Sequence, residues 1–148
     1  YSLAGHRHLP EIVNELKARG SNFTPKVTFL PHLVPMTRGI LSSCYAPLKP
    51  GALPEGKKGI QEVQHLYKHF YRDEPFVRVT EQPPETKHTW GSNLCLIYPT
   101  IDLRTNRLIV ISCIDNLVKG AAGQAIQNMN LMLGFPETAG LEAAAVYP

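Results

Sequence analysis

Two apolar runs constrain the fold more than anything else in this chain. They are Leu94 to Tyr98 and Leu108 to Ile114, joined through the turn-like DLRTNR. Both read as strands. Leu117 to Leu133 follows as a helix rich in Gly and Ala at its start, and Gly134 and Pro136 end it. Upstream, Pro10 suits a first helical turn, where its missing N–H costs nothing, and Ile12, Val13 and Leu16 recur at helical spacing until Gly20. Val27-Thr28-Phe29-Leu30 reads as a strand entering the Pro31–Pro35 turn, and Gly39 to Leu48 as a second, buried strand. KPGALPEGKKG is a loop. Ile60 to Tyr71 is a helix with Val63, Leu66, Tyr67 and Phe70 on one face, and Phe76 to Val79 is a short strand before the polar loop EQPPETKHTWGSN. This order predicts an α+β fold with a mostly antiparallel sheet.

The chain has 148 residues, 43% hydrophobic and 18% charged, enough for a core of its own. Its net charge is +3, and apart from Lys57 and Lys58 the basic residues are scattered, so no stripe suited to nucleic acid is present. No apolar run has the length of a membrane span, and no signal peptide is visible. Cys44, Cys95 and Cys113 are odd in number and far apart, which favours free thiols in a reducing compartment over disulfides or a zinc ribbon. The chain begins with Tyr in mid-pattern, and a longer parent protein is the expectation.

Four places could carry chemistry. His6 and His8 sit two apart before the first helix; histidine titrates near neutrality and is the usual general acid or base. On residue type alone, two loop histidines explain the pair as well. A metal site would need further ligands, and His65 with His69 is the other obvious pair. In TFLPHLVPMTRG, prolines stiffen a loop that holds His32 and Arg38; a planar guanidinium there suits a carboxylate or phosphate, although a plain surface arginine is the commoner case. Cys44 in SSCYAP invites a catalytic reading, but it lies in an apolar segment with no helix start after it, and a buried structural thiol is the expectation. At Asp115-Asn116 a strand ends and the small residues Gly120, Ala121, Ala122 and Gly123 begin a helix that could approach a flat ligand closely. The alternative there is tight packing with Asn116 as the helix N-cap. No GxGxxG run follows a first strand, so no complete dinucleotide fold is present.

AGHRHLPEI, FLPHLVPMTRGIL and DNLVKGAAGQAIQNMNLMLGFPET, in this order from end to end, resemble the N-acetyl-γ-glutamyl-phosphate reductases of arginine biosynthesis. Leu9 departs from the family, which often has a smaller polar residue there. The resemblance implies the C-terminal half of an oxidoreductase similar to aspartate-semialdehyde and glyceraldehyde-phosphate dehydrogenases. It implies helices on one face of the sheet. Residues 1–116 would form a substrate-binding and dimerisation domain, and 117–148 a terminal helix and tail that pack on an N-terminal Rossmann domain. The family's nucleophile lies in a GCYPT-like motif that this chain lacks and that SSCYAP imitates only by letters.

By the same resemblance the intact enzyme uses NADPH to reduce N-acetyl-glutamyl phosphate to the semialdehyde. His6 would be its acid–base residue, and His8, Arg38 and His32 would contact substrate anions. Asn116 would meet the nicotinamide amide, with Lys119, Gly120, Ala121 and Gly123 lining the cofactor side. The fragment alone would be inactive, a homo-oligomer, and free of nucleic acid, membrane and metal. Its compartment would be the bacterial cytoplasm, or the plastid in a plant. An oligomerisation module and a His-x-His metal domain are the alternatives.

Overall fold

The computed structural model describes residues 1–2, 5–19 and 25–146. They form two compact units, Tyr1–Met36 and Thr37–Pro148.

In the first unit, helix α1 runs His8–Ala18. It starts without a side-chain cap, on the bond from Leu9 N–H to His6 C=O at 2.9 Å. Pro10 falls in its first turn, as expected. Glu11 near the start and Lys17 near the end oppose the helix dipole with the favourable signs. Ile12 and Val13 are half-buried and Leu16 is exposed, while the expected stop at Gly20 lies outside the described residues. Val27–Leu30 is not a strand. Val27 and Phe29 alternate in burial with Thr28 and Leu30, as a strand would, but no ladder forms along them. Alternation supplies a face; a strand also needs a neighbour to take its N–H and C=O groups.

The second unit is built on a four-stranded sheet in the order β1-β4-β3-β2. The strands are β1 Ile40–Pro47, β2 Val77–Val79, β3 Cys95–Asp102 and β4 Arg107–Ile114. β4 pairs antiparallel with β1 and β3, and short β2 lies parallel to β3. Asp102 shapes the β3–β4 turn: its carboxylate accepts the Arg104 N–H at 3.0 Å and the Thr105 hydroxyl at 2.9 Å, and Asn106 takes a left-handed φ of 50°.

Helix α2, Lys57–Phe70, crosses one face of the sheet. A Cβ on Gly59 would stand 3.3 Å from Ile101 Cδ1 and collide with the Pro54 carbonyl, so the helix start is packed as closely as glycine allows. Val63 of α2 is buried, as are Ile97 and Ile101 on that face. Leu66 and Phe70, expected on the apolar face, are largely exposed.

The expectation of a buried strand over Gly39–Leu48 is corrected. β1 is an edge strand, with Ile40, Leu41, Cys44 and Tyr45 all exposed. It pairs with β4 alone, while α2 lies over β2 and β3.

The last helix has two parts. Val118–Ala122 is a wide π turn, with the Gly120 N–H on the Asp115 carbonyl at 2.9 Å and the Ala122 N–H on that of Leu117 at 3.1 Å. Helix α3, Gly123–Leu133, continues from it. Gly134, with φ of 74°, ends it; the Phe135 N–H reaches back to Asn130 at 2.8 Å, closing a Schellman motif.

Candidate active site

In the first unit His6 and His8 meet edge to face, ring centroids 4.8 Å apart, with Phe29 5.2 Å from His6 on another side. The His8 N–H donates to His6 Nδ1 at 3.2 Å, so Nδ1 serves as an acceptor. Neutral His6 therefore carries its proton on Nε2, which lies 3.3 Å from the Tyr1 hydroxyl. Local chain geometry thus leaves Nε2 of the neutral His6 ring as a hydrogen-bond donor. His8 is exposed. His32 is also exposed, and its Nδ1 donates to the Leu30 carbonyl at 3.1 Å, which leaves Nε2 as an acceptor.

In the second unit the chemistry gathers where β4 runs into the π turn. Asp115 is fully buried, and four donors surround its carboxylate. Oδ1 accepts the N–H groups of Leu117 at 2.8 Å and Val118 at 3.2 Å. Oδ2 accepts the Gly91 N–H and Arg38 Nη2, each at 2.7 Å. Burial pushes the carboxyl upward, but these N–H donors and the guanidinium outweigh it and hold Asp115 below the usual carboxylate range.

Asn116 is not the helix N-cap: Leu117 precedes the π turn, and the side chain that takes the N–H groups of Leu117 and Val118 is that of Asp115. Asn116 Oδ1 instead accepts the Gly39 N–H at 2.6 Å. Adjacent residues 115 and 116 thus grip adjacent residues 38 and 39, and the Trp90 indole N–H adds a bond to the Arg38 carbonyl at 3.2 Å. Arg38 also lines a shallow pocket of about 290 Å³ with Trp90, Gly91 and Val146. Its Nε is buried without a partner among the described residues.

The structure separates the cofactor-side candidates. Gly120 and Ala121 are exposed on the π turn. Gly123 is buried, and a Cβ there would collide with the Asn93 side-chain oxygen, so its small size serves packing. Lys119 turns to Gln127 Oε1 at 2.6 Å and lies 5.4 Å from the centre of the Phe76 ring. Burial lowers its pKa against the opposing pull of Cys95, Glu137 and Glu74. Gln127 also accepts from Asn93 at 3.0 Å and donates to Glu137 at 2.6 Å. Asn130 donates to the carbonyls of Glu137 at 3.1 Å and Ala139 at 2.9 Å.

Sequence reading missed Asn93, Asp115, Gln127 and Asn130. A run such as Gln127-Asn128-Met129-Asn130 on an otherwise apolar helix is the one available signal, since amides at helical spacing either face solvent or pair in the interior.

The thiols differ sharply. Cys113 is 1% exposed, and burial raises its pKa to about 11. Burial also raises that of half-buried Cys95. Cys44, expected to be buried, is exposed on β1, the edge strand of the sheet. Among the described residues, no three His, Cys, Asp or Glu side chains gather as a metal site would need, and no helix is long and apolar enough to cross a membrane.

Across all 148 residues the chain is 59% identical to N-acetyl-gamma-glutamyl-phosphate reductase of Dehalococcoides mccartyi. It is 53% identical over 152 aligned positions to the protein of the same name from Geobacter metallireducens, and 50% over 153 to that of Heliobacterium modesticaldum. All of this chain is covered in each case, but it spans only 42% of each relative's length. Residues 1–116 match the family model described as semialdehyde dehydrogenase, dimerisation domain. An α+β unit on a mostly antiparallel sheet, with that match over most of its length, places this chain in the semialdehyde dehydrogenase dimerisation-domain family.

Proposed function

We propose that this chain is the C-terminal, catalytic and dimerisation part of a longer NADPH-dependent reductase. The reaction converts N-acetyl-glutamyl phosphate to N-acetyl-glutamate semialdehyde and phosphate. The observation that carries the reading is 59% identity to a reductase of that name along the whole chain.

The chemistry needs a thiolate that attacks the acyl carbon and expels phosphate, and a proton donor for the oxyanion that forms when the thioester is reduced. NADPH supplies the hydride. The nucleophile comes from the part of the protein outside this chain; Cys113 and Cys95 are disfavoured by their raised pKa values. His6 is the acid that serves the oxyanion, giving the Nε2 proton of its imidazolium form and returning to the neutral ring. Arg38 is the residue of the second unit that meets a substrate anion, and His8 and His32 have that role in the first; the buried Nε of Arg38, without a partner among the described residues, supports Arg38 as a donor.

The π turn fits a nicotinamide. Asn116 spends its carbonyl oxygen on Gly39 and keeps its NH2 to donate to a carboxamide oxygen. Gly120 and Ala121 leave room for a flat ring, while Lys119 and Gly123 hold the turn from behind.

The sheet face opposite α2 carries exposed Leu41 and Tyr45, and we assign it to a second copy of the chain. Leu131, Met132 and Leu133 project an apolar end of α3 that suits the Rossmann domain. The cytoplasm is the compartment assigned.

The test is to follow NADPH oxidation with the acyl phosphate as substrate. The full-length protein should turn over, and this chain alone should not. Turnover by the isolated chain, or none by the full-length protein, overturns the reading.

A further inference from the structure

Asp115 touches more of the site than any residue assigned a role in the reaction, and nothing in that reaction uses it. Its side chain is wholly buried and its carboxylate joins three stretches of chain: Arg38 before β1, Gly91 in the loop before β3, and Leu117 and Val118 at the π turn. Its backbone carbonyl also takes the Gly120 N–H at 2.9 Å, which sets the width of that turn. The next residue, Asn116, binds the N–H of the residue after Arg38 at 2.6 Å.

Arg38 and Asn116 are thus tied through neighbouring residues: the guanidinium is held by Asp115, and the next residue, Gly39, is held by its N–H to Asn116. A ligand that orders Asn116 acts on Gly39, one peptide bond from Arg38.

We propose that Asp115 is a positioning residue that couples the substrate-side Arg38 to the cofactor-side Asn116, so that anion binding and nicotinamide binding reinforce each other. The proposal rests on the reading of Arg38 and Asn116 as substrate and cofactor contacts. Coupling of this kind is reciprocal in binding free energy: the anion tightens NADPH binding by the factor by which NADPH tightens the anion. If Asp115 holds both contacts in place, a variant that loosens Arg38 also loosens Asn116.

The experiment uses full-length protein with Asp115→Asn and Arg38→Lys. Asp115→Asn keeps an acceptor for Leu117 and Val118 but sets an NH2 group against two donors, Gly91 N–H and Arg38. Arg38→Lys leaves Asp115 and the turn intact, keeps the charge and removes the planar fork, so it folds where Asp115→Asn fails. NADPH affinity is measured by fluorescence titration without substrate, and KM for the acyl phosphate by turnover per folded molecule. Amide exchange at Gly39, Leu117 and Val118 reads the clamp directly. Gly59→Ala, packed against Ile101 at the far end of the sheet, is the control for general destabilisation.

Each of the two variants should weaken NADPH binding and raise the acyl phosphate KM, both by about tenfold, the scale of a typical coupling. Gly39 should exchange faster in both. Gly59→Ala should lower the melting temperature and move neither constant. If Arg38→Lys raises KM but leaves NADPH affinity within twofold of wild type, the coupling is wrong. If Asp115→Asn folds with both constants unchanged, Asp115 is only structural. A wild-type protein that turns over no acyl phosphate overturns the reading of the site, and the proposal with it.

Discussion

Arg38 Nη2 lies 2.7 Å from Oδ2 of Asp115, and the carboxylate has no exposure to solvent at all. A buried charge with one strong partner removed is costly, about 3–5 kcal/mol. The two sides of this pair are not equal, because three backbone N–H groups still surround the carboxylate when the arginine is gone. Arg38→Met should therefore destabilise the protein less than Asp115→Ala. Denaturant unfolding of the two variants checks the order; equal losses would mean that the backbone donors contribute little.

The same carboxyl predicts an acid limb. Its pKa in the folded protein is below the unfolded value, so the stability it contributes is fully present above the ordinary Asp value of about 3.9 and is lost as pH falls through the folded value. The stability gap between wild type and Asp115→Asn should narrow as the pH is taken below about 4. A gap that stays constant down to acid unfolding would show that Asp115 is not held ionised.

Two glycines three residues apart should respond differently to alanine. A Cβ on Gly123 collides with the Asn93 side-chain oxygen and lies 2.8 Å from the Val118 carbonyl, whereas on Gly120 the nearest atoms are 3.4 Å away. Gly123→Ala should cost about 1–3 kcal/mol, the usual cost of overpacking. Gly120→Ala should be near neutral, since contact at its site is ordinary and alanine suits a helix better. Melting temperatures of the two variants test this, and a loss at Gly120 equal to that at Gly123 would contradict the packing described.

Thiol reactivity follows burial. Under native conditions Cys44 should alkylate readily, whereas Cys113, buried and with its pKa raised to about 11, should label only on unfolding. Peptide mapping after a short iodoacetamide pulse gives the answer. Cys113 labelled as fast as Cys44 would mean that the sheet opens far more easily than its packing allows.

In the full-length protein, His6→Ala should lower turnover by about two to four powers of ten, the scale of a lost general acid. Cys44→Ser should leave turnover close to wild type, since Cys44 lies on an edge strand and has no assigned step. Steady-state rates separate the two; abolished activity in folded Cys44→Ser protein would make Cys44 part of the chemistry.

The pairing of β3 with β4 was legible because everything it needs is local: two apolar runs and a turn whose Asp102 carboxylate bonds Arg104 and Thr105 within three residues. Helix α3 was legible for the same reason, with Gly134 adopting the left-handed cap that its position announced. His6 could be picked out as a candidate acid, but its tautomer could not. That rests on where the His8 N–H points once α1 has formed.

Composition and spacing by themselves determined the order of the helices and of the four strands from Ile40 onward, the antiparallel bias and the stops of the last helix, because turn chemistry and periodicity act over a few residues. Tertiary structure alone decided the rest. It left β1 open on an edge, because burial depends on whether a strand has neighbours, and no residue in Ile40–Pro47 can specify that. It denied Val27–Leu30 a ladder, because alternation cannot supply a pairing partner. It gave the N–H groups at the start of the turn to Asp115 rather than Asn116, because the donors that hold a buried carboxylate there come from Arg38 and Gly91 as well as from the turn itself. Arg38 lies 77 positions from Asp115 along the chain, and only folding brings a guanidinium and a carboxylate that far apart in sequence to 2.7 Å.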